Sequence, residues 1–506
     1  MLLIRVFIIG VVLAMAGCAT KITPNTSTPS YAKEPAKTGR LAEFISDLTH
    51  DKQGQTGVYT LGQGVDAFVS RVSLINAATS SIDLQYYIYN NDITGNQINY
   101  SLYNAAERGV RVRLLLDDLK ASDHNPQLHI LNQHENVEIR LFNPSPNRRN
   151  KALGILTDFA RLNSRMHNKS LTVDSLASVI GGRNIGDEYF SASHEVEFGD
   201  FDLLLIGEAT HDVNTQFDVY WNSEHSYPLS VFHPRRYSDE ETIAILSEWE
   251  EQITDTEQSQ TEYIQALTQS QFLEYLSEGS LPWSWGKADV LYDPPSKINE
   301  RGLTSPLLDE LESAFANTQK DLFIISPYFV PGDGGTKYLI DMVERGVNVA
   351  ILTNSLAATD VVAVHSGYAP YRKALLKAGV TLYETKVKPN FKPSAWRGST
   401  QASLHAKSII FDKQQTFVGS LNLDPRSMFI NTEIGVLFEN EALSSKIVSA
   451  LNDAVANSAY RVQLADDKLI WLDMDTQKTF KSEPDASIWR KIGACFFRLL
   501  PIEDQL

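Results

Sequence analysis

The chain repeats itself, and the repeat carries a charged signature. RMHNKSLTVD, from Arg165 to Asp174, and SLHAKSIIFD, from Ser403 to Asp412, share the skeleton His-x-Lys-x4-Asp, with their histidines 238 positions apart. The match runs on downstream without a gap. His167, Lys169, Asp174, Gly181, Asn184 and Glu195 stand at the same offsets as His405, Lys407, Asp412, Gly419, Asn422 and Glu433. One such motif is a weak signal, whereas two in register constrain fold and function together. Other segments keep the offset to within one residue: SSIDLQYYIYNND from Ser80 matches QKDLFIISPYFVPGD from Gln319, and AAERGVRVRLLLDD from Ala105 matches MVERGVNVAILTNS from Met342. The second pair reads as a helix end, a glycine in the left-handed position that closes a helix, and a buried strand. Strands alternating with helices predict an α/β sheet covered by helices. The duplication predicts two such units paired about a pseudo-twofold axis.

The flanking segments divide the chain. Residues 1–17, MLLIRVFIIGVVLAMAG, hold Arg5 and an apolar run too short to span a bilayer comfortably, then a small-residue box before Cys18. This resembles a bacterial lipoprotein signal. It implies cleavage before Cys18, lipid attachment there, and residence in the cell envelope facing the periplasm. Ala19 after the cysteine favours the outer membrane, with the inner membrane as the alternative. Residues 18–44 begin rich in Thr, Pro, Ser and Lys and are expected to form a flexible tether. The first α/β unit is expected over 45–235, an acidic helical linker over 236–285, the second unit over 286–460, and a C-terminal extension over 461–506. The tail SIWRKIGACFFRLLPIEDQL reads as a helix packed on the body, or else one lying on a membrane surface. With two cysteines in 506 residues, neither a disulfide framework nor a zinc site is expected. A net charge of -17 argues against nucleic acid as a partner, because phosphate contacts need clustered Lys and Arg.

The paired motifs suit displacement at a phosphodiester. His and Lys two positions apart on an extended chain point to the same face. The reaction needs a nucleophile, cations around the phosphoryl oxygens, and an acid for the leaving alkoxide. Two histidines supply nucleophile and acid, one neutral and one protonated. Lys169, Lys407, Asn184 and Asn422 are expected to hold the oxygens. Glu195 and Glu433 are each expected to orient the histidine of their own copy through Nδ1. The lysines do the charge neutralisation, so no metal or other cofactor is expected.

These residues resemble the phospholipase D superfamily, which carries two His-Lys-Asp motifs on a duplicated α-β-α sandwich around one shared active site. The resemblance covers roughly residues 45–460. It implies a phosphohistidine intermediate, with His167 as nucleophile and His405 as acid and then base. Asp174 and Asp412 look more structural than chemical. Within the superfamily, QYYIYNNDITG, GGRNIGDEYF, VHSGYAPYRKALLKAGVTLYE and LLPIEDQL resemble bacterial cardiolipin synthases of the C type. That implies a membrane-anchored phosphatidyltransferase acting on phosphatidylglycerol and phosphatidylethanolamine. The alternatives are a phospholipase D that releases phosphatidic acid and an exported nuclease or phosphodiesterase. GGRN in the first copy and GSLN in the second differ at Gly182 and Ser420, consistent with unequal roles. His365, Tyr368, Tyr371 and Arg372 are candidates for the cleft lining, with a structural role as the alternative.

Overall fold

The computed structural model describes residues 28–119, 125–145, 159–193, 198–259, 261–299, 305–387 and 403–506. Nine strands belong to the first unit: β1 (Thr56–Leu61), β2 (Ser81–Tyr86), β3 (Arg111–Asp117), β4 (Val137–Phe142), β5 (Ser170–Val173), β6 (Ala177–Gly181), β7 (Phe198–Gly199), β8 (Asp202–Gly207) and β9 (Ser226–Pro228). All but β7 form a sheet in the order β1-β8-β6-β5-β2-β3-β4-β9. Only β2, β3 and β4 are parallel to one another.

The second unit repeats this plan with β10 (Ser284–Tyr292), β11 (Asp321–Ile325), β12 (Asn348–Asn354), β13 (Thr381–Thr385), β14 (Ser403–Leu404), β15 (Ser408–Phe411), β16 (Gln415–Gly419), β17 (Ile434–Glu439), β18 (Ala459–Ala465), β19 (Lys468–Asp473) and β20 (Thr479–Phe480). Its order is β10-β17-β16-β15-β11-β12-β13-β18-β19-β20, with β11, β12 and β13 parallel. An antiparallel pairing of β1 with β10 joins the two sheets edge to edge. The duplicated α/β architecture read from the repeat is therefore present.

The local chemistry of the repeat is visible in both units. Gly109 and Gly346 close their helices at φ 87° and 93°, a region that a side chain disfavours. Asp174 and Asp412 each open a tight turn between paired strands, closed by Leu176 N–H to Val173 O and Gln414 N–H to Phe411 O. Both central residues of each turn have positive φ, which matches the twist of the flanking strands. The carboxylates then cap the start of a neighbouring strand. Asp174 accepts from the N–H of Thr79, Ser80 and Ser81, and Asp412 from those of Gln319, Lys320 and Asp321. The structural role expected for the two aspartates is what their contacts describe.

The parallel strands are buried on both faces, as helix-covered sheets require. Ile82, Leu84, Leu114 and Ile139 pack under the helices Gly64–Ala77 and Ile93–Glu107. Leu322, Ile324, Ile351 and Leu382 are buried in the corresponding core of the second unit. A separate cluster seals the two units together, with Val58, Ile180 and Leu205 meeting Val418, Val436 and Phe438. Each such side chain stabilises the assembly by about 1.5–3 kcal/mol when withdrawn from water.

Two expected boundaries differ, and the linker is helical as expected but not detached. The span 18–44 was to be a flexible tether, yet from residue 28 it is a strap hydrogen-bonded to the first unit. Ser30 N–H and Ala32 N–H donate to Asn222 and Asp218, and Arg111 and Arg113 donate to the carbonyls of Tyr31 and Ser30. The acidic linker is helical at Asp239–Ser259, Thr261–Thr268 and Gln271–Glu278, but its last helix packs on the first unit through buried Phe272 against Tyr59. The expected cut at 460 falls inside β18, which pairs with β13 and continues the second sheet. Among the described residues no helix is long and apolar enough to cross a membrane. Cys18 and the leader lie outside the described residues.

Candidate active site

Both motifs lie on extended chain that crosses between the units. The strand carrying His167 pairs with the opposite unit: His167 N–H donates to Thr432 O and Thr432 N–H to Arg165 O. Symmetrically, β14 pairs with β7, and the N–H groups of His405 and Ala406 both reach Gly199 O. Each crossing delivers a carboxylate to a histidine of the other half. His167 Nδ1 lies 2.8 Å from Glu433 Oε2, and His405 Nδ1 lies 2.6 Å from Asp200 Oδ2. An ionised carboxylate only accepts, so each Nδ1 carries the proton and each Nε2 keeps a free lone pair.

This corrects two expectations. Glu433 orients the histidine of the other copy and not its own. Glu195 lies outside the described residues; the role expected of it, at His167, is held by Glu433, and the carboxylate that the first copy contributes is Asp200, at His405. The sheet register explains the displacement. Gly181 pairs with Asp202 and Gly419 with Gly435, so Asp200 is the counterpart of Glu433. The first copy has five extra residues ahead of this strand, and Glu195 matches the ungapped offset by coincidence. A register set on the apolar runs FDLLLIG and IGVLFE would have found Asp200.

The carboxylate lengths also account for one of the two unequal positions between GGRN and GSLN, Gly182 against Ser420. A Cβ on Gly182 would lie 2.2 Å from Asp200 Oδ1, so no side chain fits there. In the second unit the corresponding Ser420 fits, and its hydroxyl donates to Glu433 Oε2. Gly182 and Ser420 are thus matched to their carboxylates.

The lysines lie beneath the histidines. Lys169 Nζ donates to His167 O at 2.6 Å, and Lys407 Nζ donates to His405 O. Lys407 Nζ is also 3.0 Å from His405 Nδ1, but that nitrogen keeps its proton and donates it in a hydrogen bond to Asp200, so the approach is repulsive between positive edges. Both lysines are buried, and each feels the other's charge together with Glu433 and Asp200. The two motifs therefore form one electrostatic unit. Burial pushes Lys169 down to about 7 and Lys407 down to about 8. Burial, opposed by the carboxylates and reinforced by the lysines, pushes His167 down to about 4 and His405 to about 3. Burial works to raise Asp200, but the charges of His405 and Lys407 outweigh it and hold the carboxyl below its usual range. Both histidines are thus neutral at pH 7, and the expected division into one neutral and one protonated ring is absent from the protein by itself.

Aromatic rings set the imidazole planes. Tyr87 packs edge-on against His167 at 5.1 Å, and Tyr189 and Phe198 each lie 5.2 Å from His405. Asn184 accepts from Ile88 N–H and donates one N–H to Tyr189, leaving one for a ligand. Asn422 donates to Ser427, 3.4 Å away. Asp117 supports the first motif by accepting from Met166 N–H and pairing with Arg165. Sequence reasoning missed Asp200, Asp117 and these aromatics, none of which meets an identical residue at the 238-residue offset. His365, Tyr368 and Arg372 take the structural alternative. Arg372 pairs with Glu384 and Glu483, donates to His365, and stacks on Tyr368 and Trp471 inside the second unit. Tyr371 donates to Glu503.

Two histidines with free Nε2 atoms over two buried cations can attack a phosphoryl group and hold its oxygens. A family model described as cardiolipin synthase, PLD-like domain, matches residues 72–221 and 311–454. The chain is 38% identical to cardiolipin synthase C of Escherichia coli over 92% of this chain and 99% of that protein. It is 34% identical to an uncharacterized protein of Helicobacter pylori over 95% of each chain. The crystal structure of a phosphatidylserine synthase from Haemophilus influenzae superposes with a TM-score of 0.58 at 15% identity, covering 92% of this chain and 99% of that one, which is a likeness of fold.

Proposed function

The chain belongs to the phospholipase D superfamily, in the family of PLD-like cardiolipin synthases, and from that premise we propose that it is a phosphatidyltransferase that makes cardiolipin through a phosphohistidine intermediate. The observation that carries this reading is the crossed pairing of His167 with Glu433 and His405 with Asp200 above two buried lysines. His167 Nε2 attacks the phosphorus of a donor phospholipid. The bond from phosphorus to the head-group oxygen breaks, and His405 gives its proton to that oxygen. His405, now neutral, takes the proton of a hydroxyl on the glycerol head of phosphatidylglycerol. That oxygen attacks phosphorus, the bond to His167 breaks, and cardiolipin leaves. Lys169 and Lys407, with the remaining N–H of Asn184, bind the phosphoryl oxygens and stabilise charge as it develops. Because both rings start neutral, His405 gains its proton as the anionic phosphodiester arrives.

Supplying the purified protein with labelled phosphatidylglycerol and phosphatidylethanolamine tests the reading. Labelled cardiolipin is expected. Phosphatidic acid as sole product overturns the synthase and leaves a phospholipase D. DNA cleavage outpacing lipid turnover points to a nuclease instead. Trapping the phosphoenzyme and mapping it by mass spectrometry distinguishes His167 from His405 as nucleophile. Anchoring through Cys18 belongs to the same proposal and predicts that Cys18→Ser abolishes incorporation of labelled fatty acid.

A further inference from the structure

The helix Ile488–Phe497 is turned inside out. Its inward face carries Arg490, only 6% exposed, which donates to the carbonyls of Leu356 and Thr359. Gly493 lies beside it, against Val362. Its outward face carries Ile488, Trp489, Ile492 and Phe496, and Leu499 follows in the turn just after it; the five are between 51% and 82% exposed. Residues spaced by three, four and seven fall on one side of a helix, so these five make a continuous apolar stripe in water. A soluble surface does not tolerate such a stripe without an occupant. The stripe is also held rigidly. Residues beyond it are pinned by Arg426, which donates to the carbonyls of Leu506 and Gln505 and to Asn163, and Leu506 packs under Gly367. Asn163 belongs to the segment that leads into His167.

The helix sits at the rim of the site. One of the carbonyls that hold Arg490, that of Thr359, adjoins Asp360, whose carboxylate accepts from Tyr328 and whose charge acts on Lys407. The charge of the segment is as informative as its apolarity. From Ile488 to Leu500 it holds Arg490, Lys491 and Arg498 and no acid, on a chain of net charge -17. Arg490 is spent inward, and Lys491 and Arg498 remain as the cations beside a tryptophan among aliphatics, a set that suits the boundary between acyl chains and anionic head groups.

We propose that the stripe from Ile488 to Leu499 is a docking face for an anionic phospholipid bilayer, which presents the cleft to lipid in the membrane. This rests on the reading of the substrate as a membrane phospholipid. In the full chain bearing Cys18→Ser, exposed Cys495 is the sole thiol and lies beside the stripe. An environment-sensitive fluorophore on it is expected to shift to the blue with phosphatidylglycerol–phosphatidylethanolamine vesicles and to be quenched by brominated acyl chains. Two apolar-to-acid changes, Ile492→Glu with Phe496→Glu, should abolish the quenching with the circular dichroism unaltered. They should also lower the ratio of vesicle turnover to turnover of monomeric short-chain phosphatidylglycerol by about tenfold or more, because two apolar side chains are withdrawn from lipid. A fluorophore that stays aqueous on bound vesicles overturns the proposal. So does one shielded without vesicles as protein concentration rises, because a second copy then covers the stripe. Quenching without turnover of either substrate keeps the docking face and overturns the enzymatic reading instead.

Discussion

At the scale of single residues, the site depends on which atom of each histidine holds a proton. Asp200→Asn replaces an acceptor at 2.6 Å from His405 with an amide that can present a donor, and so favours the wrong tautomer. It should lower kcat by roughly 10²–10⁴-fold, the usual worth of a positioned proton-transfer group, whereas Glu195→Gln should keep activity. Steady-state kinetics on labelled lipid checks both. Titration gives an independent prediction. The lysines act as ammonium ions, so kcat/KM should fall as pH rises through about 7 to about 8. The bound phosphodiester favours the charged lysines, so kcat should fall only at higher pH. His405, neutral alone, should take up a proton on binding, seen as a buffer-dependent heat in calorimetry at pH 7. Coincident limbs and a buffer-independent heat would contradict the assignment.

At the scale of elements, the two motif turns couple the catalytic strands to their neighbours. Asp174 is buried and gathers three backbone N–H groups at 2.7–2.9 Å, so Asp174→Ala should cost on the order of 3 kcal/mol, since charge-assisted bonds contribute about 1.5–3 kcal/mol each and losses in one cluster are not additive. Asp412 makes the same three bonds at a more exposed site, and Asp412→Ala should cost less. Denaturant unfolding of the two variants ranks them. This scale also shows what sequence could carry. Helix-closing Gly109 and Gly346, the strand-turn-strand motifs and the linker helices are encoded locally and were legible. The partner of each histidine was not, because Glu433 and Asp200 arrive from the other unit and a five-residue insertion had displaced one of them. The strap over 28–39 looked flexible because its order comes from Asn222, Asp218, Arg111 and Arg113, all far away in sequence.

At the scale of the whole molecule, the repeat made two paired units legible, but it did not show that the units exchange strands at the site. The site has its own cations in Lys169 and Lys407, and activity should survive EDTA, with lipid dispersion controlled. Loss restored by one divalent ion alone would contradict that mechanism. The exchange also bears on how the chain becomes active during synthesis. As it emerges from its N-terminal end, His167 appears long before Glu433, and the Asp200 made early waits for His405. A chain short of residue 433 can therefore pair His405 with Asp200 but leaves His167 without its carboxylate. The full pair of oriented histidines exists only once residue 433 has been laid beside the first unit, so a chain cut short of it should turn over no substrate.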